Sequence, residues 1–175
     1  AERIRIDRAF TQTPEEYHPF IVMLRHNRVL FNAVFELTKA HREAGAYVWG
    51  GKTFLETQMP YMQIDGRTLW WIKEHRKVDG TFYQVQYESN IDFINQVISE
   101  KGEAPKQMTL VVRARSEKFG LLEDVSTIFW GGSGANSTNP IENAYTSAIG
   151  RIYGRVGIGL FGTGIASAEE IANAL

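Results

Sequence analysis

The sequence predicts an α+β fold: an antiparallel β-meander or hairpin sheet packed on a long helix in the C-terminal half, with flanking helices. Three observations carry this reading. Residues 107–115 alternate, with Met108, Leu110, Val112 and Ala114 on one side and Thr109, Val111, Arg113 and Arg115 on the other. A turn at Lys118-Phe119-Gly120 leads into a second apolar-rich run, residues 121–130, giving a hairpin with arginines on one exposed face. Residues 139–159, NPIENAYTSAIGRIYGRVGIG, then switch to a helical period.

That helix carries its own start signal. Asn139 suits the N-cap, Pro140 the first helical position and Glu142 the capping-box carboxylate. Ile141, Ala144, Tyr145, Ala148, Ile149, Ile152 and Val156 form one apolar stripe. The opposite face holds Asn143, Thr146, Ser147, Gly150, Arg151, Gly154 and Arg155. Glycine costs about 1 kcal/mol relative to alanine inside a helix. Gly150 and Gly154 therefore imply a close approach, either by a neighbouring subunit, the expectation at Gly154, or by a phosphate backbone.

The other elements follow in order. Residues 3–10 alternate Ile4 and Ile6 against Arg3 and Arg5, which predicts a short half-buried or edge strand. Thr13-Pro14-Glu15-Glu16 is a helix-start signature limited by Pro19. Val29, Ala33, Leu37 and Ala40, joined by Leu30 and Val34, predict a helix over residues 27–44 that ends at Gly45. Residues 46–55 read as a strand or hairpin around Gly50-Gly51, and residues 60–65 as a connector. A short helix over 67–75, a turn at Asp79-Gly80, a strand over 81–87 and a helix over 91–100 come next. Residues 131–138 read as a glycine-rich loop, and Ser167 to Glu170 as a second capping box that opens a terminal helix. No internal repeat breaks the chain, so one domain spans residues 1–175.

Composition excludes several classes. The hydrophobic fraction of 43% and charged fraction of 22% are those of a globular domain. No run approaches a membrane span and no signal-peptide pattern opens the chain, so the expected compartment is the cytoplasm. Cysteine is absent, which removes thiol nucleophiles and cysteine-based metal sites. The net charge of -1 argues against a uniformly basic nucleic-acid binder. The charge is uneven, however. Arg67, Lys73, Arg76 and Lys77 stand against Glu74 alone, and Lys106, Arg113, Arg115 and Lys118 against Glu117 alone. Local basic surface of this kind is what phosphate contacts require.

No catalytic pattern emerges. Gly51-Lys52-Thr53 resembles the end of a P-loop, but its first glycine position is Ala46. Gly157 to Gly162 matches GxGxxG, yet it follows a helix instead of a strand and reads as a termination signal. His18, His26, His41 and His75 are scattered, with no metal-ligand spacing. Neither an enzyme activity, a metal nor a cofactor is expected. The aromatic residues are more telling. Trp49, Trp70, Trp71, Tyr83, Tyr87, Phe129, Trp130 and Tyr153 lie near basic or glycine-rich segments, where rings can stack bases while cations hold the backbone. Trp70 and Trp71 point about 100° apart on a helix, so one is expected in the core and the other near the surface.

The run Ile141-Glu142-Asn143-Ala144, then Thr146-Ser147-Ala148-Ile149-Gly150-Arg151, resembles the C-terminal signature of phage single-strand annealing proteins. These are the ERF-like recombination proteins, in the superfamily named for the eukaryotic annealing protein Rad-fifty-two. Met62 to Arg67 with Trp70-Trp71 is similar to the family's helix entry, and the likeness spans roughly residues 61–162. The resemblance implies one annealing and oligomerisation domain whose curved sheet packs on a long helix. It implies ATP-independent binding of single-stranded DNA and annealing of complementary strands in recombination, by a ring or helical homo-oligomer. A single-stranded DNA-binding protein of host or phage would be a further partner. By position, Arg151 and Arg155 match the helix that lines the DNA groove, where relatives carry a further cation at Gly150 or Gly154. Arg113, Arg115 and Lys118 on the hairpin would supply the remaining charge, with Arg67 and Lys106 from the basic clusters. The alternative is a non-annealing single-stranded DNA-binding accessory protein, or a structural oligomer, of the same fold.

Overall fold

The computed structural model describes residues 2–131 and 138–161, with side chains from residue 6 onward. Nearly all of the loop expected over residues 131–138 lies outside the described residues, as does the capping box at Ser167 with its helix. Two three-stranded antiparallel sheets are joined and covered by helices, the α+β arrangement expected.

The first third of the chain departs from expectation. Residues 3–10 belong to helix α1 (Glu2–Gln12), not to a strand. Ile6, Ala9, Phe10 and Thr13 recur at helical spacing, and Ala9 and Thr13 are buried, so the short Ile4/Ile6 alternation was the weaker period. A 3-10 helix (Glu15–Phe20) follows Pro14. Residues 27–44 are not one helix. Strand β1 (Ile21–Phe31) pairs along its length with β3 (Lys52–Met62), with Ile21 opposite Met62 and Val29 opposite Phe54. The apparent helical stripe is thus divided among a strand, a loop and the short helix α2 (Lys39–Glu43). Ten cross-strand partners outweigh a weak local helical preference. Helix α2 is capped by Thr38, whose hydroxyl accepts from the His41 N–H at 3.2 Å.

Strand β2 (Ala46–Trp49) forms the expected hairpin with β3. Gly50 and Gly51 both have positive φ, +55° and +78°, as a tight two-residue turn matching strand twist requires. Lys52 and Thr53 therefore begin a strand, and the Thr53 hydroxyl donates to the Ala33 carbonyl at 2.8 Å.

From helix α3 (Ile64–Glu74) onward the expected order holds. The strand expected over residues 81–87 is shorter and shifted, β4 (Val85–Ser89), and helix α4 (Ile91–Lys101) follows it. Strands β5 (Gln107–Ser116) and β6 (Gly120–Phe129) make the hairpin, with Val111 opposite Val125 and Arg113 opposite Glu123. Helix α5 (Pro140–Arg155) packs on the inner face of this sheet. Leu110, Val112 and Ala114 of β5 and Ile128 of β6 meet Ala144, Ala148 and Ile152 of α5, all in the interior. Two alanines at the contact let the helix sit close to the sheet. Trp71 joins this core, while Trp70 is partly buried and stacks on Tyr17 at 5.3 Å, the division expected of the pair. No helix among the described residues is long and apolar enough to cross a membrane.

Tyr153 of α5 stacks on Trp71 at 4.8 Å, and its hydroxyl lies 3.4 Å from that of Tyr87. Burial, with the Tyr87 hydrogen bond, pushes its phenol well above the usual tyrosine range. Burial, then the charge of Glu16, likewise pushes Tyr17 up to about 12. A raised folded-state pKa contributes stability that is present below the unfolded value and is lost as pH rises. The tyrosines should therefore leave urea midpoints unchanged from neutral pH up to about 10 and lower them above it. Tyr153→Phe should flatten part of that alkaline decline, which a denaturation series across pH would read out.

Candidate nucleic-acid interface

The outer face of the β4–β5–β6 sheet has no element packed on it among the described residues. Strand alternation places Gln86 and Glu88 of β4, Arg113 and Arg115 of β5, and Leu121, Glu123, Val125 and Phe129 of β6 on that face. The arginines are exposed there, as expected. They are also paired. Arg113 sits between Glu88 and Glu123 in register, and its Nε donates to Glu123 Oε2. That hydrogen bond and the Glu123 charge raise the guanidinium pKa further. Arg115 Nε lies 3.4 Å from Glu88 Oε1. Exposed pairs of this kind contribute about 0–1 kcal/mol each, so phosphates can exchange with the glutamates.

Arg151 and Arg155 project from α5 to the outer edge of β6, the edge without a partner strand. Arg155 Nε donates to Asp124 Oδ2 at 2.8 Å, Asp124 Oδ1 accepts from the Val125 N–H at 2.9 Å, and Arg151 Nη1 approaches the Val125 carbonyl at 3.4 Å. Backbone groups of an open strand edge are thereby capped by side chains, a recognised way of blocking strand addition.

The remaining expected cations scatter. Lys118, at the hairpin turn, donates to both the carboxylate and the carbonyl of Glu74 at 2.6 Å, tying the turn to the end of α3. That hydrogen bond is the main reason the Glu74 carboxyl lies below the usual range. Lys106 is exposed, with no side-chain ion pair among the described residues, and its carbonyl accepts from the Trp130 N–H at 3.1 Å. Arg67 is not a surface cation. It is 1% exposed, its Nη1 donates to the Gly150 carbonyl at 2.7 Å and its Nη2 to the Gly159 carbonyl at 3.1 Å. Its place is structural, because a phosphate cannot reach it without opening the core.

This contact also reassigns the glycines. Gly150 and Gly154 are both buried within the chain, and at Gly150 the group that comes close is the Arg67 guanidinium on its carbonyl. A Cβ on Gly159 would fall 2.9 Å from Arg67 Nε and 3.0 Å from Met62 Cβ, so the termination segment must be glycine to lie against the arginine.

One buried pair has the spacing of a catalytic dyad. His75 Nε2 lies 2.7 Å from Ser116 Oγ, and His75 Nδ1 lies 2.8 Å from the Trp71 carbonyl. The carbonyl can only accept, so Nδ1 carries the proton and Nε2 accepts from the serine. Ser116 Oγ already accepts from the N–H groups of Lys118 and Phe119. With both residues buried, the pair fastens the hairpin turn to α3.

Sequence reasoning missed the acidic partners. Glu123 was accessible to it: a hairpin turning at Lys118 pairs residues whose numbers sum to 236, which sets Arg113 against Glu123. Glu88 and Asp124 depend on the strand shift and on the α5 packing. No family model, curated protein or solved structure matches the chain.

Proposed function

We propose that the protein binds single-stranded DNA and anneals complementary strands without ATP, as a ring or helical homo-oligomer in the cytoplasm. The observation that supports this reading most is the β4–β5–β6–α5 unit. A sheet packed on a long helix, with Arg151 and Arg155 at its edge and Arg113 and Arg115 on its open face, follows the order the resemblance implies. Annealing needs many weak contacts to phosphate, none of them sequence-specific. Repetition of a modest cationic stripe over subunits sums such contacts, which reconciles the role with a net charge of -1. A single-stranded DNA-binding protein would be the natural supplier of coated strands.

A second reading has its own support. Arg113, Arg115, Lys118 and Arg155 all face carboxylates, which fits a structural oligomer whose charges serve the fold. Paired oligonucleotides with a fluorophore and quencher separate the two. Annealing predicts accelerated pairing at low salt without nucleotide, inhibited as salt rises. Glu88→Gln with Glu123→Gln should free the arginines, raise affinity several-fold and steepen the log–log salt dependence by about 1. Assemblies visible by negative stain that neither bind nor pair DNA would leave the structural reading standing and end the annealing one.

A further inference from the structure

The β1–β3–β2 ribbon is buried at its base, where Met59, Tyr61 and Met62 lie in the interior. Its outer half is not. Val29, Phe31, Val34 and Phe35 are exposed, and Trp49 is 73% exposed. The exposed residues are organised. Tyr47 and Phe54 stack across the hairpin at 5.3 Å with planes 13° apart, and Trp49 leans on Phe54 at 6.4 Å. Register puts Lys52 directly opposite Trp49 on the same face. At the free edge of β2 an open cleft of about 410 Å³ is lined by Phe35, Glu36, Arg42, Tyr47 and Val48, among others.

Charge gives this surface its direction. Residues 21–62 hold five Lys and Arg against three Glu. Arg25–Glu56 at 3.2 Å and Lys39–Glu43 at 3.7 Å neutralise two of the cations. Arg28, Arg42 and Lys52 have no side-chain ion pair among the described residues, and Glu36 alone opposes them. This is the reverse of the β5–β6 hairpin, whose arginines are matched by acids. An apolar protein partner would have to desolvate those cations. A polyanion with aromatic bases uses both features at once, cations for phosphates and ring faces for bases. Duplex bases are stacked on each other and cannot lie on an outward ring, so the fit is to a single strand.

We propose that the Trp49 face of this ribbon, with the cleft at its edge, is a second single-stranded nucleic-acid surface, on which Lys52 and Arg42 hold phosphates and Trp49 and Tyr47 stack bases. The proposal rests on the nucleic-acid reading above, but assigns a part of the molecule that the signature helix does not include. Glu36, in the cleft, is placed to accept from base amino groups.

The test is anisotropy titration of a labelled oligothymidylate over a salt series, with sedimentation of each variant. Trp49→Ala with Lys52→Ala should weaken binding by roughly ten-fold or more and lower the salt slope by about 0.7. Trp49→Phe, which keeps a ring, should retain most of the affinity, and Trp49 fluorescence should be quenched by the strand. Both residues are exposed, so the fold should survive. Wild-type protein that binds the strand, with a double variant that binds equally well, overturns the ribbon site and leaves the annealing reading intact. Loss of self-association with unchanged affinity overturns it in favour of a second copy of the chain as the occupant. Wild-type protein that binds no single strand at low salt ends both.

Discussion

Arg67→Ala should lower folding stability by about 3–5 kcal/mol, with a fall in melting temperature of roughly 10 °C. The guanidinium is buried and bridges two carbonyls, Gly150 inside α5 and Gly159 beyond it. Alanine removes both donors from a dry site and leaves the volume of a long side chain unfilled. Arg67→Lys keeps the charge but supplies one nitrogen where two separated carbonyls need donors, so it should recover only part of the loss. Urea denaturation of the three proteins reads this directly. A cost for alanine below about 1 kcal/mol would mean that water replaces the guanidinium.

Arg155→Ala should cost about 2 kcal/mol. Asp124 is 6% exposed, and without Arg155 its carboxylate keeps the Val125 N–H as a donor. Removing the partner of a buried charge costs about 3–5 kcal/mol when both are dry. Here the arginine side chain is about half exposed, which reduces the figure. Asp124→Asn should lessen the effect of Arg155→Ala, and a double-mutant cycle would measure the coupling. The cycle bears on function too. A loss of DNA binding in Arg155→Ala has to be measured far below its melting temperature. Asp124→Asn, which frees the arginine, should bind single strands more tightly if Arg155 touches phosphate, and no better if the pair is purely structural.

The C-terminal half was legible because its signals agree. Period-two alternation over β5, a turn at Lys118, and a helical stripe opened by Pro140 in α5 all specify one arrangement, although Asn139 makes no side-chain cap, and the core forms from the residues that alternation names. The N-terminal third was not. Ile4 and Ile6 fit either period, and only the burial of Ala9 and Thr13 decides for α1. In β1 the apolar residues toward the tip are exposed, so they do not mark an inward face, and a chance spacing of Val29, Ala33, Leu37 and Ala40 imitated a helix. That misreading hid the ribbon, and with it Arg28, Arg42 and Lys52. Among the site residues, exposure of Arg113 and Arg115 followed from strand parity. The interior place of Arg67 did not, because a helix carrying Arg67 between Gly66 and Thr68 gives no hint of carbonyls contributed from more than eighty positions away.

That separation has a consequence for synthesis. Arg67 leaves the ribosome long before its acceptors: the Gly159 carbonyl lies 92 residues further on. At typical elongation rates the interval is roughly 5–20 s. Throughout it, the face of α3 that will meet α5 presents a charged group and apolar neighbours to solvent. The nascent chain is thus open to chaperones until α5 and the segment through Gly159 emerge, and closure of Arg67 over Gly150 and Gly159 marks the end of that exposure.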